Sequence, residues 1–157
     1  MDISHSANHN VILLLRRRNP DATQLAAFDS RPNPYFTLGS HPDIVERVWK
    51  QIGTAMPIDC RFIVCGTPAL AQPDSGILFA FALGTQYCLR LPPVLIETAL
   101  LANAKTRTRW SNGKVEDIQE ELGAGWIFGS WMAAEIEWCK AAYASFGKEK
   151  ADKIEWA

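Results

Sequence analysis

Glu135 has the setting in this sequence that most resembles a catalytic one. It stands four residues after Trp131 and three before Trp138, so on a helix two indole rings flank one carboxylate. If that strip is covered, desolvation favours the neutral, proton-donating acid. The plainer role is a half-exposed carboxylate or one paired with Arg90 or Arg109, because structural ion pairs are the commoner reason for such a placement. Arg90 supplies the complementary chemistry: in a pocket between the Phe79/Phe81/Arg90 face and the last helix, its guanidinium would hold an anionic group while Glu135 acts as acid or base.

Other residues offer weaker chemistry. Gly66-Thr67 and Gly84-Thr85 are two corners whose backbone N–H groups could hold an anion, although turn geometry is the plainer use of both glycines. Neither has the G-x-x-x-x-G-K-[ST] spacing of a phosphate-binding loop. His41, at a helix start, is a candidate base, yet no G-x-S-x-G nucleophile accompanies it. Gly129-Ser130-Trp131 reads as a helix cap instead. Arg16-Arg17-Arg18 could touch phosphate or an acidic protein, but three adjacent charges more often form a solvated element end.

Bulk properties narrow the classes. A chain of 157 residues is one domain that can bury roughly 70% of its unfolded surface, enough for a core without disulfides or metal. Sixteen Lys and Arg against seventeen Asp and Glu argue against a basic face spread over the whole domain, which leaves only a local patch and ranks nucleic acid last among partners. The cysteines, Cys60, Cys65, Cys88 and Cys139, include no C-x-x-C pair and no metal-ligand spacing, so reduced thiols in a cytoplasmic protein are expected, with neither metal nor cofactor. Val11–Leu15 is too short to span a bilayer, and Arg16–Arg18 follow it where a secretory signal carries charge before its apolar run.

The elements that must position these residues centre on the stretch from Ile58 to Leu91. Three apolar runs, 60–65, 77–83 and 86–91, are separated by the turn residues Gly66-Thr67-Pro68, Pro73–Gly76 and Gly84-Thr85, the pattern of an antiparallel meander. A two-residue reversal at Gly84-Thr85 sets Leu83 against Gln86, Phe81 against Cys88 and Phe79 against Arg90. Strict alternation then puts Leu78, Ala80 and Ala82 on one face, and Phe79 and Phe81 on the other with Arg90 and Cys88. Helices are expected at 41–56, started by Ser40 and stopped by Pro57, at 94–103, and at 131–146 between Ser130 and Gly147. Between the last two, Thr106–Trp110 pairs with the segment after Asn112-Gly113, with Arg109 opposite Glu116 and Trp110 opposite Val115. Asp117–Leu122 forms a helical turn ended by Gly123, and Trp126–Phe128 a short strand. Val11–Leu15 suits either a buried strand or one side of a short helix, and Gln24–Phe28 a helical turn. Residues 1–10 and 148–157 read as frayed tails of a single 1–157 domain.

Gly66-Thr-Pro-Ala-Leu70, Pro73-Asp-Ser-Gly-Ile77, Phe79-Ala-Phe81, Leu89-Arg-Leu-Pro92, Trp126-Ile-Phe-Gly129 and Glu137-Trp-Cys-Lys-Ala-Ala-Tyr143 together resemble a family of small uncharacterised bacterial proteins, over about Asn33 to Phe146. That likeness implies no activity. The order of elements is also similar to the amino-terminal domain of TfoX-type competence regulators, in topology alone. The expected architecture is α+β, an antiparallel meander of five or six strands with the three main helices packed mainly on one face. Six tryptophans, a residue type enriched at binding hot spots, and no catalytic signature point to a non-catalytic binding module. Its partner would be a protein or a small anionic ligand, and Trp110, Trp126, Trp131, Glu135 and Trp138 its surface.

Overall fold

The reversal at Gly84-Thr85 forms as its residue types require. Gly84 takes φ +58° and Thr85 needs no positive φ, so β4 (Leu78–Leu83) and β5 (Gln86–Arg90) pair with Leu83 opposite Gln86 and Phe81 opposite Cys88. The computed structural model describes residues 1–28, 41, 43–44, 51–129 and 134–147. Around this hairpin lie α1 (His9–Arg18), β1 (Leu25–Ala27), β2 (Arg61–Val64) and β3 (Thr67–Ala71). After it come α2 (Pro93–Leu101), β6 (Arg107–Arg109), β7 (Val115–Asp117), α3 (Ile118–Leu122), β8 (Trp126–Phe128) and α4 (Ala134–Phe146). Six strands make one antiparallel sheet in the order β1-β2-β3-β4-β5-β8, and β6 and β7 form a separate ribbon.

The fold is α+β, with helices on both faces of the sheet. One face carries Ile44, Ile52 and Met56 from the 41–56 region, Ile96 and Ala99 of α2, and Trp138, Cys139, Ala142 and Phe146 of α4. The three helical regions expected from sequence thus share a face. Residues 42 and 45–50 of the first lie outside the described residues, as do Ser130, Trp131 and the tail 148–157. The second face is covered by Val11, Ile12, Leu14 and Leu15 of α1 and by Ile118 and Leu122 of α3. Val11–Leu15 is therefore helical, and its apolar side supplies a second core.

Several sequence expectations are corrected. Thr67-Pro68 is strand rather than turn: the reversal is Cys65-Gly66, at φ +48° and +78°, and β3 follows it fully buried. Pro68 is tolerated there because its pairing is with Ile63 of β2, while the ladder to β4 begins one residue later at Ala69. Gln24–Phe28 contains β1, an edge strand on β2, and not a helical turn. The opening residues are not frayed. Ile3, His5 and Asn8 are buried. The Asn8 side chain donates to the carbonyls of Ile3 and Gly76 and accepts from the Leu78 N–H at 2.8 Å.

The alternation along β4 is broken by a β-bulge. Leu70 faces Ala80 and Ala71 faces Leu78, so Phe79 has no partner on β3. The extra residue swaps the faces of what precedes it. Phe79 joins Ala80 and Ala82 on the α2/α4 side, whereas Leu78 joins Phe81 and Leu83 on the α1/α3 side. Each ring is fully buried, worth about 1.5–3 kcal/mol, so both halves of the core gain one.

Candidate functional site

The aromatic residues proposed as a surface do not assemble into one. Trp126 is buried against Phe81, ring centroids 5.3 Å apart, on the α1/α3 side. Trp138 is buried on the opposite side. Trp110 is half-buried at the margin of the α1/α3 core, and Trp131 lies outside the described residues. Two of the three described tryptophans, Trp126 and Trp138, thus use their apolar area for core packing.

Glu135 sits in the first turn of α4 at 1% exposure, and its carboxylate accepts a hydrogen bond from the Tyr87 hydroxyl. Tyr87 is held in turn by Gly129. A Cβ there would fall 1.9 Å from the ring, so no other residue lets the strand pass so close. Burial, then the Glu135 charge, push the neighbouring Cys139 thiol well above its ordinary range. Arg90 donates to the Ala7 carbonyl at 3.1 Å and lies 5.2 Å over the Phe146 ring. Phe81 faces away from α4, so the expected Phe79/Phe81/Arg90 wall against the last helix is not built. The bulge at Phe79 is the reason.

The open chemistry lies on the other side. A cleft of about 610 Å³ runs between the end of α1, the Gly84-Thr85 reversal and the β6–β7 ribbon. Arg17 and Arg18 enter it from the last turn of α1, Arg109 and Lys114 from the ribbon, and Trp110 forms part of its wall. Glu116 on β7 and Glu121 on α3 also face it. Helix geometry places the arginines: Leu14 and Leu15 are buried in the core, which leaves Arg16, Arg17 and Arg18 at the solvated end. The carbonyl end of a helix dipole favours those cations.

The ribbon closes with a three-residue loop, Ser111-Asn112-Gly113, and not the two-residue turn expected. The Trp110 N–H donates to the Lys114 carbonyl and the Gly113 N–H to that of Trp110, with Gly113 at φ +84°. This geometry of a turn followed by a left-handed glycine is common in hairpins. It shifts the pairing by one, so Thr108 faces Glu116 and Arg109 faces Val115. Glu116 thereby shares the inward side of the ribbon with Thr108. Asp117 caps α3, accepting from the N–H groups of Gln119 and Glu120, and pairs with Arg107 at 2.9 Å. The Arg107 hydrogen bond, with the Glu120 and Gln119 N–H groups, holds the Asp117 carboxyl below its ordinary range.

Glu121 differs from every other carboxylate described. One of its oxygens is buried with no hydrogen-bond partner. Burial, and then the Glu116 charge, push its carboxyl above the usual value, against an opposite pull from Arg17, Lys114 and Arg18. Beneath the cleft, burial pushes the Cys88 thiol far up as well. All four cysteines are free and buried, and Cys60 is raised to about 12. None has the exposed, cation-activated setting of a nucleophile.

No family model, curated protein or solved structure matches the chain. The bacterial-family likeness therefore rests on the residues quoted for it, and the TfoX-type one on element order alone.

Of the remaining sequence candidates, the cleft gathers Arg17, Arg18, Gly84-Thr85 and Trp110, which lie far apart in the chain. Gly66 is not open in the same way, because Asn19 and Ala22 pack against it. His41 is exposed and accepts from the Asp43 N–H at 3.2 Å. Glu116, Glu121 and Lys114 were not singled out by sequence. Their sequence context is only local: Lys114 and Glu116 follow the Asn-Gly turn, and Glu121 lies in the expected helical turn. Among the described residues no group of His, Cys, Asp and Glu could hold a metal ion, and no helix is long and apolar enough to cross a membrane.

Proposed function

We propose that this chain is a non-catalytic binding module whose ligand is anionic and occupies the cleft between α1 and the β6–β7 ribbon. One observation carries the reading: Arg17, Arg18, Arg109 and Lys114 converge on one concavity of ligand size. Buried free thiols fit a reducing compartment, in keeping with a cytoplasmic protein. The competing enzyme reading, through Arg90 and Glu135, is weaker. Glu135 is enclosed and bonded to Tyr87, which leaves little room for a substrate.

An NMR titration with inorganic pyrophosphate at low salt tests this. Amide shifts confined to residues 84–86, 108–114 and the end of α1 are expected, and they should shrink in R17A/K114A. Saturable shifts centred on Tyr87 and α4 would move the site to Glu135, and no shifts at all would remove the anion site.

A further inference from the structure

The cleft does not end at Arg109. A second one, of about 530 Å³, shares Gln86, Thr108 and Arg109 with it and continues past Lys105 and Arg107 to Phe128 and Gly129. Among the described residues the two clefts are lined by six cations, Arg17, Arg18, Lys105, Arg107, Arg109 and Lys114, and by two carboxylates, Glu116 and Glu121, with Arg107 also paired to Asp117 at 2.9 Å. Arg107 and Arg109 stand two residues apart on β6, on one side of the strand and roughly 6–7 Å from each other. A single small anion fills one of the two clefts. A row of cations through both calls for a repeated charge.

We infer that the joined clefts are a track for single-stranded nucleic acid, with the cations meeting phosphates and Trp110 stacking on a base. Three features select this polymer over other polyanions. A half-buried indole in a basic groove is the platform on which unpaired bases stack. Glu116 and Glu121 repel a plain polyphosphate, but carboxylates accept hydrogen bonds from the exocyclic amino groups of bases. Thr85, Gln86, Thr108, Ser111 and Asn112 add donors and acceptors along the same walls. A duplex presents no free base face to Trp110. The inference rests on the anion-site reading of the first cleft and extends it.

Fluorescence anisotropy with a labelled single-stranded oligonucleotide of about a dozen nucleotides, within the usual site sizes of such grooves, is the test. Binding is expected at about 50 mM salt and should weaken steeply by about 200 mM. K105A/R107A should lower oligonucleotide affinity about tenfold or more while leaving pyrophosphate shifts at Arg17 and Lys114 in place. W110A should cost about fivefold or more without changing the salt slope, with W110F retaining most affinity and guarding against a folding defect. Pyrophosphate binding without oligonucleotide binding overturns the track but keeps the anion site. Equal competition by inorganic polyphosphate, equal binding of a duplex, or a silent W110A each overturns the role of the bases. Loss of both ligands overturns the two readings together.

Discussion

Glu135 and Glu121 are carboxylates on opposite sides of one sheet, and the protein treats them in opposite ways. Glu135 is almost wholly covered, bonded to Tyr87 and packed beside Cys139. Glu121 is only half-covered, keeps an oxygen without a partner, and faces cations across a cleft. Sequence draws attention to the first because two indoles flank it. Aromatic neighbours are equally the mark of an interior position, where a polar group must be satisfied locally to be tolerated. A functional group needs the opposite, an unfilled hydrogen-bonding capacity within reach of solvent. On the ribbon side Glu121 lines an open cleft beside exposed cations, although its own unpartnered oxygen is buried.

The contrast can be broken most severely at Gly129. Replacement by Ala drives a methyl into the Tyr87 ring and should cost at least the upper end of the roughly 1–3 kcal/mol of ordinary overpacking, seen as a lower denaturant midpoint. Tyr87→Phe comes next. It removes the hydroxyl that donates to a buried carboxylate, so a loss of about 1–3 kcal/mol is expected, while anion binding in the cleft stays unchanged.

Substitutions on the ribbon side should behave differently. Glu121→Gln should stabilise the protein at neutral pH, by less than about 1 kcal/mol since the site is partly solvated. The sign follows from linkage. A carboxyl raised above its ordinary 4.5 binds protons more tightly in the folded state, so its ionisation works against folding as pH rises. The gain from Gln should therefore fade as pH is lowered toward that ordinary value, and a gain independent of pH would show that the charge penalty from burial, and then from Glu116, is not the cause. The same variant should bind pyrophosphate more tightly. Smallest of all, Lys114→Ala should leave stability within about 0.5 kcal/mol while weakening the anion, since Lys114 is exposed. A large stability loss there would mean that the cleft is structural.

Legibility from sequence followed local chemistry. The β4–β5 register, β8, α2 and the Gly123 stop of α3 were readable, because glycine, proline and capping residues act within a few positions. The bulge was not: Ile77–Leu83 is apolar throughout, so no polar residue marks which side chains share a face. Pro68 hid β3, since a proline beside Gly66 reads as a turn unless the neighbouring ladder is known. In the ribbon, Asn112-Gly113 suits both a two-residue and a three-residue loop, and only the second carries Glu116 inward. The cleft was illegible as a whole. Its walls come from segments at 14–18, 84–86 and 108–121, and nothing in any one of them reports the others.

Asn8 also bears on how the chain is made. Its amide grips partners 68 and 70 positions further along, at Gly76 and Leu78. During synthesis from the amino end, the first segment must therefore wait, ungripped, until the fourth strand of the sheet has left the ribosome. A bulky fusion ahead of Met1 would be carried through that interval, which makes the carboxyl end the gentler place for a tag.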